Sequence, residues 1–229
     1  MEELIFSKDR RIKGNLHRLD EIDDHDNNLY NLIKAILNVK YLYIDRYKIS
    51  VERLERVFAY ELYYQWSIII DKLNKKRDSG DEYILNGETE KNMSHFEDDP
   101  EKSKTYPDLV LHKSIDQAKG QAIVCEIKRK GNFTKGGLEN DINKLRKFVC
   151  KLQNEYTFGF GVFILAGDKM KTILEKINSL KWTKRRRGVK SERILLIAYD
   201  GIQIQLVTLY DALNQKERNE YIKKHKDEE

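Results

Sequence analysis

The stretch PDLVLHKSIDQAKGQAIVCEIKRK, residues 107–130, contains two apolar runs that are each joined to charged residues. The first run begins with Pro107-Asp108, and the second continues from Ala-Ile-Val-Cys directly into Glu126 and Lys128. Short apolar runs rich in branched residues and divided by a polar, turn-like segment predict two β-strands. Charged side chains are rarely buried without a partner, so their place on these strands calls for a chemical reason.

Side-chain alternation along the predicted strands, at 107–112 and 121–128, indicates what that reason is. Glu126 and Lys128 fall on the same face, and Asp108 stands beside them if the two strands pair. Two carboxylates that converge repel each other and stay ionised only with a cation between them, for which oxygen ligands favour Mg²⁺ or Mn²⁺. A lysine alongside would position a water molecule, or lower its pKa, for attack on a phosphodiester.

A third acidic residue comes from a separate pattern, a predicted helix over residues 51–73 with Ser50 as its N-cap. Glu61 falls near the middle of the apolar arc of this helix, with Gln65 one turn further on. The arc comprises Leu54, Val57, Phe58, Ile68 and Ile69. A carboxylate in a core-facing stripe is costly unless it is paired. Glu61 therefore either meets an Arg or backbone donor across the core, or joins the metal site.

These residues, in this order, resemble the PD-(D/E)xK nuclease superfamily, which has the restriction endonuclease-like fold. The resemblance spans about residues 50–166, and its motifs are FAYELYYQW with Glu61, YPDLVLH with Pro107-Asp108, and IVCEIKRK with Glu126 and Lys128. The segment LENDINKL, residues 138–145, is also similar to the helix that follows in many members. The resemblance implies that Asp108 and Glu126 ligate Mg²⁺, that Lys128 activates or orients the attacking water, and that Glu61 completes the metal shell.

The remaining patterns predict an α/β fold with a mixed central sheet flanked by helices and an N-terminal helical portion. Helices are expected at 29–44, 138–152 and from Asp168 to about Leu180, and further strands at 157–166, 193–199 and 202–207. Asp200-Gly201 predicts a hairpin between the last two strands. The first strand falls at 82–86 or at 91–96. We predict an N-terminal helical extension (1–48), a nuclease-like domain (49–212) and a charged tail (213–229).

Composition limits the classes of protein to which the chain can belong. The chain has 229 residues, 35% of them charged, and no apolar run of the length that spans a membrane. Its two cysteines, Cys125 and Cys150, are expected to be buried free thiols, and the N-terminal segment does not have the pattern of a signal peptide. We therefore expect a cytoplasmic protein with no membrane partner.

The basic run KWTKRRRGVK, residues 181–190, holds six cations and no acidic residue. These cations are Lys181, Lys184, Arg185, Arg186, Arg187 and Lys190. The run is either a solvated connector or a surface that contacts nucleic-acid phosphates. Asp141 and Lys144, at the edge of the stripe of the 138–152 helix, are secondary candidates for the site.

The expected function is that of a Mg²⁺-dependent nuclease acting on DNA. Two alternatives stay open: a nuclease that cuts RNA with the same residues, and a catalytically silent nucleic-acid-binding or scaffolding subunit of a defence or repair complex. The expected partner is nucleic acid, with DNA first, and the sequence leaves open a homodimer or a larger protein complex.

Overall fold

The structure, a computed structural model, describes residues 4–7, 24–40, 51–77, 80–87, 107–113, 121–149, 158–180 and 191–214. Its helices are α1 (Asp24–Asn38), α2 (Val51–Asn74), α3 (Lys135–Val149) and α4 (Met170–Ser179). Its strands are β1 (Leu4–Ser7), β2 (Tyr83–Gly87), β3 (Leu109–Lys113), β4 (Gln121–Arg129), β5 (Phe158–Ala166), β6 (Ile194–Tyr199) and β7 (Gln203–Thr208). A short 3₁₀ turn (Ser191–Arg193) precedes β6, and residues 209–214 are helical.

The described strands form one mixed sheet in the order β1-β7-β6-β5-β4-β3-β2. β4, β5 and β6 are parallel neighbours, and the remaining pairs are antiparallel. Helices α1 and α2 share one apolar core with the sheet, and α3 and α4 share a second core with its other face. The prediction of a mixed central sheet flanked by helices is confirmed.

The central strand β5 is buried on both faces, as its continuous apolar sequence predicts. Val162 and Ile164 face the core of α1 and α2, whereas Phe163 and Leu165 face α3 and α4. Gly161 allows α3 to approach closely, because a Cβ atom at this position would lie 3.1 Å from the Cβ of Leu145. Helix α3, which carries the candidates Asp141 and Lys144, therefore packs closely on the sheet.

The hairpin between β6 and β7 turns where Asp200-Gly201 predicts it. Gly201 has a φ of 100°, a left-handed conformation that glycine adopts without strain. The Asp200 carboxylate accepts hydrogen bonds from the backbone N–H groups of Ile202 and Gln203. The turn is therefore fixed by local chemistry.

The described parts of the N-terminal segment belong to the same sheet and core as the rest of the chain. The sequence instead predicts a separate helical extension that ends at residue 48. β1 pairs antiparallel with β7 at one edge of the sheet, and α1 packs on α2 and on the sheet. The buried hydroxyl of Tyr199 lies 3.2 Å from the carbonyl oxygen of Val39, just after α1. Pairing with β7 places a strand inside 1–48, so this segment is not a purely helical extension.

Most predicted elements agree with the structure to within a few residues. β2 at Tyr83–Gly87 matches the first of the two positions considered for the first strand, and 91–96 lies outside the described residues. α3 begins earlier than predicted because the Thr134 hydroxyl accepts the N–H of Gly137 and caps the helix. Asp168 does not cap α4; the N-cap is Lys169, and the Asp168 carboxylate accepts the Lys169 N–H.

Three predictions fall partly or wholly on residues that the structure does not describe. These are Ser50 as a helix cap, the basic run at 181–190, and the predicted tail at 213–229, of which only residues 213 and 214 are described, as part of a helix. Within the described ranges, no helix combines the length and the hydropathy needed to cross a membrane. Cys125 is buried and free, as predicted, and Cys150 lies outside the described residues.

Candidate active site

Asp108 and Glu126 are brought side by side by the antiparallel pairing of β3 and β4. Leu109 pairs with Cys125, so Asp108, one residue earlier, lies opposite Glu126. Asp108 donates its N–H to the carbonyl oxygen of Cys125 at 3.0 Å, and its Oδ2 accepts the N–H of Ile127 at 2.6 Å. One carboxylate oxygen of Asp108 is thus fixed to the backbone of β4.

Glu126 is the most deeply buried acidic residue of the site, with 1% of its surface exposed. Burial, followed by the negative charge of Asp108, raises the pKa of its carboxyl group from 4.5 to about 8. The Lys144 ammonium opposes this shift from 3.4 Å away, but only in part. Glu126 Oε1 is buried and has no hydrogen-bond partner in the described structure. Such a group is costly unless a further cation or donor joins it.

Lys128 lies between carboxylates that come from helices on both faces of the sheet. Its Nζ is 3.4 Å from Oε1 of Glu55 on α2 and 3.6 Å from Oδ2 of Asp141 on α3. Burial alone would lower the pKa of Lys128, but Asp141, Glu55 and the two strand acids together raise it above its usual value. Lys128 is therefore a firmly protonated ammonium at neutral pH.

Asp141 connects Lys128 to the second lysine of the site, Lys144. Its Oδ1 is 3.6 Å from Lys144 Nζ, and its side chain is 5% exposed. Lys144 in turn reaches Oε2 of Glu126 at 3.4 Å. The charged groups form a chain of alternating sign, in the order Glu55, Lys128, Asp141, Lys144 and Glu126.

The acidic residue of α2 that contacts Lys128 is Glu55, whereas the sequence pattern indicated Glu61. The buried stripe of α2 is formed by Phe58, Leu62, Trp66 and Ile70. Glu61 lies at the edge of this stripe, half-buried, and one of its oxygens accepts a hydrogen bond from Gln65 at 2.9 Å. The expectation that Glu61 lies at the centre of the core-facing arc was wrong.

Glu55 and Asp141 both occupy apolar stripes, which is the sequence signal that identifies them. Glu55 is three residues before Phe58 and continues the α2 stripe toward the helix N-terminus. Asp141 sits between Leu138 and Leu145 on the buried face of α3. A charged residue at helical spacing within a buried stripe predicts a buried ionic partner, and each of these residues has one.

The charged cluster does not form a metal site by geometry alone. Within the described part of the chain, no three His, Cys, Asp or Glu side chains converge closely enough to hold a metal ion. Lys128 and Lys144 lie between the carboxylates and offset part of their negative charge. Among the same described residues, three carboxylate oxygens are nevertheless buried without a hydrogen-bond partner: Glu55 Oε2, Glu126 Oε1 and Asp141 Oδ2.

Comparison with models of known protein families, with curated proteins and with solved structures finds no match for the chain. The likeness to the nuclease superfamily therefore rests on the residues and their arrangement alone.

Proposed function

We propose that the protein is a divalent-metal-dependent phosphodiester hydrolase that acts on nucleic acid, with DNA as the expected substrate. The observation that carries the proposal is the meeting of Asp108, Glu126 and Lys128 at one end of the β3–β4 pair, with Glu126 buried and one of its oxygens unsatisfied within the described structure. Buried charge of this kind is expensive to maintain, and clusters of it are typical of functional sites.

The donor set fits Mg²⁺ or Mn²⁺ by charge and by atom type. The four carboxylates and two ammoniums of the cluster leave two negative charges when all six groups are ionised, which one divalent cation would neutralise. Asp108 and Glu126 would supply the oxygen ligands, and Glu126 Oε1 is a buried oxygen that such an ion would satisfy. When bound, the cation would lower the pKa of a coordinated water and stabilise charge on the phosphate.

Lys128 has the properties of a group that orients water and not of a general base. Its raised pKa keeps the ammonium protonated, so it can donate hydrogen bonds to an attacking water or to a phosphate oxygen but cannot accept a proton. Glu55 and Asp141 hold its Nζ from two sides. In this proposal they position Lys128 and do not touch the substrate.

The test is cleavage of matched single- and double-stranded DNA and RNA with Mg²⁺, Mn²⁺ or EDTA. We expect metal-dependent cleavage by the wild type and losses of at least about a hundredfold for Asp108→Ala and Lys128→Ala. Asp71→Ala and Lys147→Ala remove matching charges from exposed positions of α2 and α3 and serve as controls. Equal cutting by all five proteins would refute the catalytic assignment, and cleavage of RNA alone would move the substrate from DNA to RNA.

A second candidate function is favoured by the two lysines that already form ion pairs with the carboxylates. In a nucleic-acid-binding or scaffolding subunit without catalysis, this ionic chain would be purely structural. Such a protein would bind nucleic acid equally well with Mg²⁺ and with EDTA, and would cut none of the four substrates. Failure of cleavage together with metal-independent binding would establish this alternative.

A further inference from the structure

Lys144 reaches into the candidate active site from α3, and neither the resemblance nor the proposed chemistry gives it a role. Its Nζ lies 3.4 Å from Oε2 of Glu126 and 3.6 Å from Oδ1 of Asp141. The Glu126 side chain is 1% exposed, whereas the Lys144 side chain is 30% exposed. A flexible, partly exposed cation is therefore set against a fixed, buried carboxyl group.

We propose that Lys144 is the internal counter-ion of the site, whose ammonium lies beside the Glu126 carboxyl group in the absence of metal and moves away when a divalent cation binds there. The inference rests on the proposed function, because it assumes that Glu126 is a metal ligand. Lys144 acts through Glu126 and Asp141, so it is a positioning residue and not a catalytic one.

Asp141 gives the displaced ammonium a second partner. Its carboxylate is already within 3.6 Å of Lys144 Nζ and is itself almost fully buried. A lysine that leaves Glu126 thus keeps an ionic contact on its own helix, three residues away. The exchange requires rotation of one flexible side chain and no movement of the backbone, since Lys side chains have several rotatable bonds.

The consequence is that Lys144 weakens metal binding. A divalent ion bound at Glu126 is repelled by the positive charge of the ammonium that lies 3.4 Å from Glu126 Oε2, so removing the ammonium favours metal binding. The partial exposure of Lys144 screens this repulsion and limits its effect. We therefore expect Lys144→Met to bind Mg²⁺ or Mn²⁺ about tenfold more tightly than the wild type.

The experiment is calorimetric titration of Mg²⁺ and Mn²⁺ alone into the full chain, with no nucleic acid present. Lys147→Met removes an equal charge from an exposed position one turn along α3 and controls for net charge. Lys144→Arg keeps the cation and should bind metal with an affinity close to that of the wild type. Lys144→Gln is the second neutral variant, and thermal unfolding in EDTA establishes that each variant is folded.

The two proposals fail in different ways. Metal binding by the wild type, with the same or weaker affinity in both neutral Lys144 variants, would overturn the counter-ion role and leave the proposed function standing. Equal tightening by Lys147→Met or by Lys144→Arg would also overturn it, because the effect would not come from this ammonium. Absence of metal binding in every protein would overturn the proposed function as well.

Discussion

Replacing Glu126 with Gln tests the electrostatics of the site in a single measurement of stability against pH. The carboxyl group has a pKa of about 8 in the folded protein, compared with 4.5 when it is solvated. This difference in pKa, at about 1.4 kcal/mol per pKa unit, corresponds to roughly 5 kcal/mol in the free energy of unfolding. Gln has the same shape as protonated Glu and no charge to lose.

The direction in which stability changes with pH follows from which state, folded or unfolded, binds the proton. Because the folded-state pKa is raised, the folded protein holds a proton that the unfolded chain releases between pH 4.5 and about 8. The stabilisation from this group is complete below pH 4.5 and is lost as the pH rises through about 8. We therefore expect Glu126→Gln to match the wild type near pH 4.5 and to be several kcal/mol more stable near pH 8.

The assay is urea denaturation at half-unit pH steps in EDTA, with Glu175→Gln, an exposed position on α4, as the control for net charge. Near pH 8, saturating Mg²⁺ should restore about 2.7 kcal/mol to the wild type at a hundred times its Kd, and nothing to Glu126→Gln. Parallel curves for wild type and Glu126→Gln would refute the argument that Glu126 is held in a charge-destabilising environment. A less stable Glu126→Gln near pH 8 would refute it as well.

Three further predictions concern the helices and the basic run. Glu55→Gln should lower the rate of metal-dependent cleavage at least about tenfold more than Glu61→Gln, because Glu55 and not Glu61 contacts Lys128. Equal effects of the two substitutions on the cleavage rate would contradict the assignment of Glu55 over Glu61. Tyr199→Phe should lower the free energy of unfolding by about 1 kcal/mol in urea denaturation, since its buried hydroxyl lies 3.2 Å from the carbonyl oxygens of Val39 and Gly201, and an unchanged midpoint would contradict that role. Neutralising Arg185, Arg186 and Arg187 together should weaken DNA binding uniformly across sequences and flatten the log–log salt slope by about 0.9 for each phosphate that is no longer neutralised, whereas binding identical to that of the wild type would mark the run as a connector.

The central strands could be predicted from the sequence because their own residues determine them. Continuous apolar runs give β4, β5 and β6, and the Asp200-Gly201 turn gives the β6–β7 hairpin. β1 was missed, since LIFS is a short run within a charged segment. Its backbone hydrogen bonds go to β7, about 200 residues away, so no local pattern reports them.

The common face of Glu126 and Lys128 on β4 follows from the alternation of side chains along a strand. Which acidic residue of α2 contacts Lys128 depends instead on how the helix packs. Glu126 and Lys128 must share a face once β4 is a strand, whereas Asp108 lies opposite Glu126 because Leu109 pairs with Cys125, a register that the sequence leaves open. On α2 the apolar arc is broad enough that its centre is set by packing against the sheet. Packing selects the stripe that begins at Phe58, which moves Glu61 to the edge and brings Glu55 to Lys128.

The ionic chain from Glu55 to Glu126 stabilises the folded state less than an apolar cluster of the same volume would. Buried ion pairs often contribute less than well-packed hydrophobic groups, and among the described residues of this site three carboxylate oxygens lack hydrogen bonds as well. The ionic chain also joins β4 to α2 on one face of the sheet and to α3 on the other. A divalent cation bound by Asp108 and Glu126 would satisfy Glu126 Oε1 and release Lys144, so the arrangement would be less unfavourable with metal than without it. A structural ion-pair network gains nothing from such an ion. The stability of this protein with and without Mg²⁺ therefore distinguishes a metal-binding site from a purely structural ion-pair network that connects α2, β4 and α3.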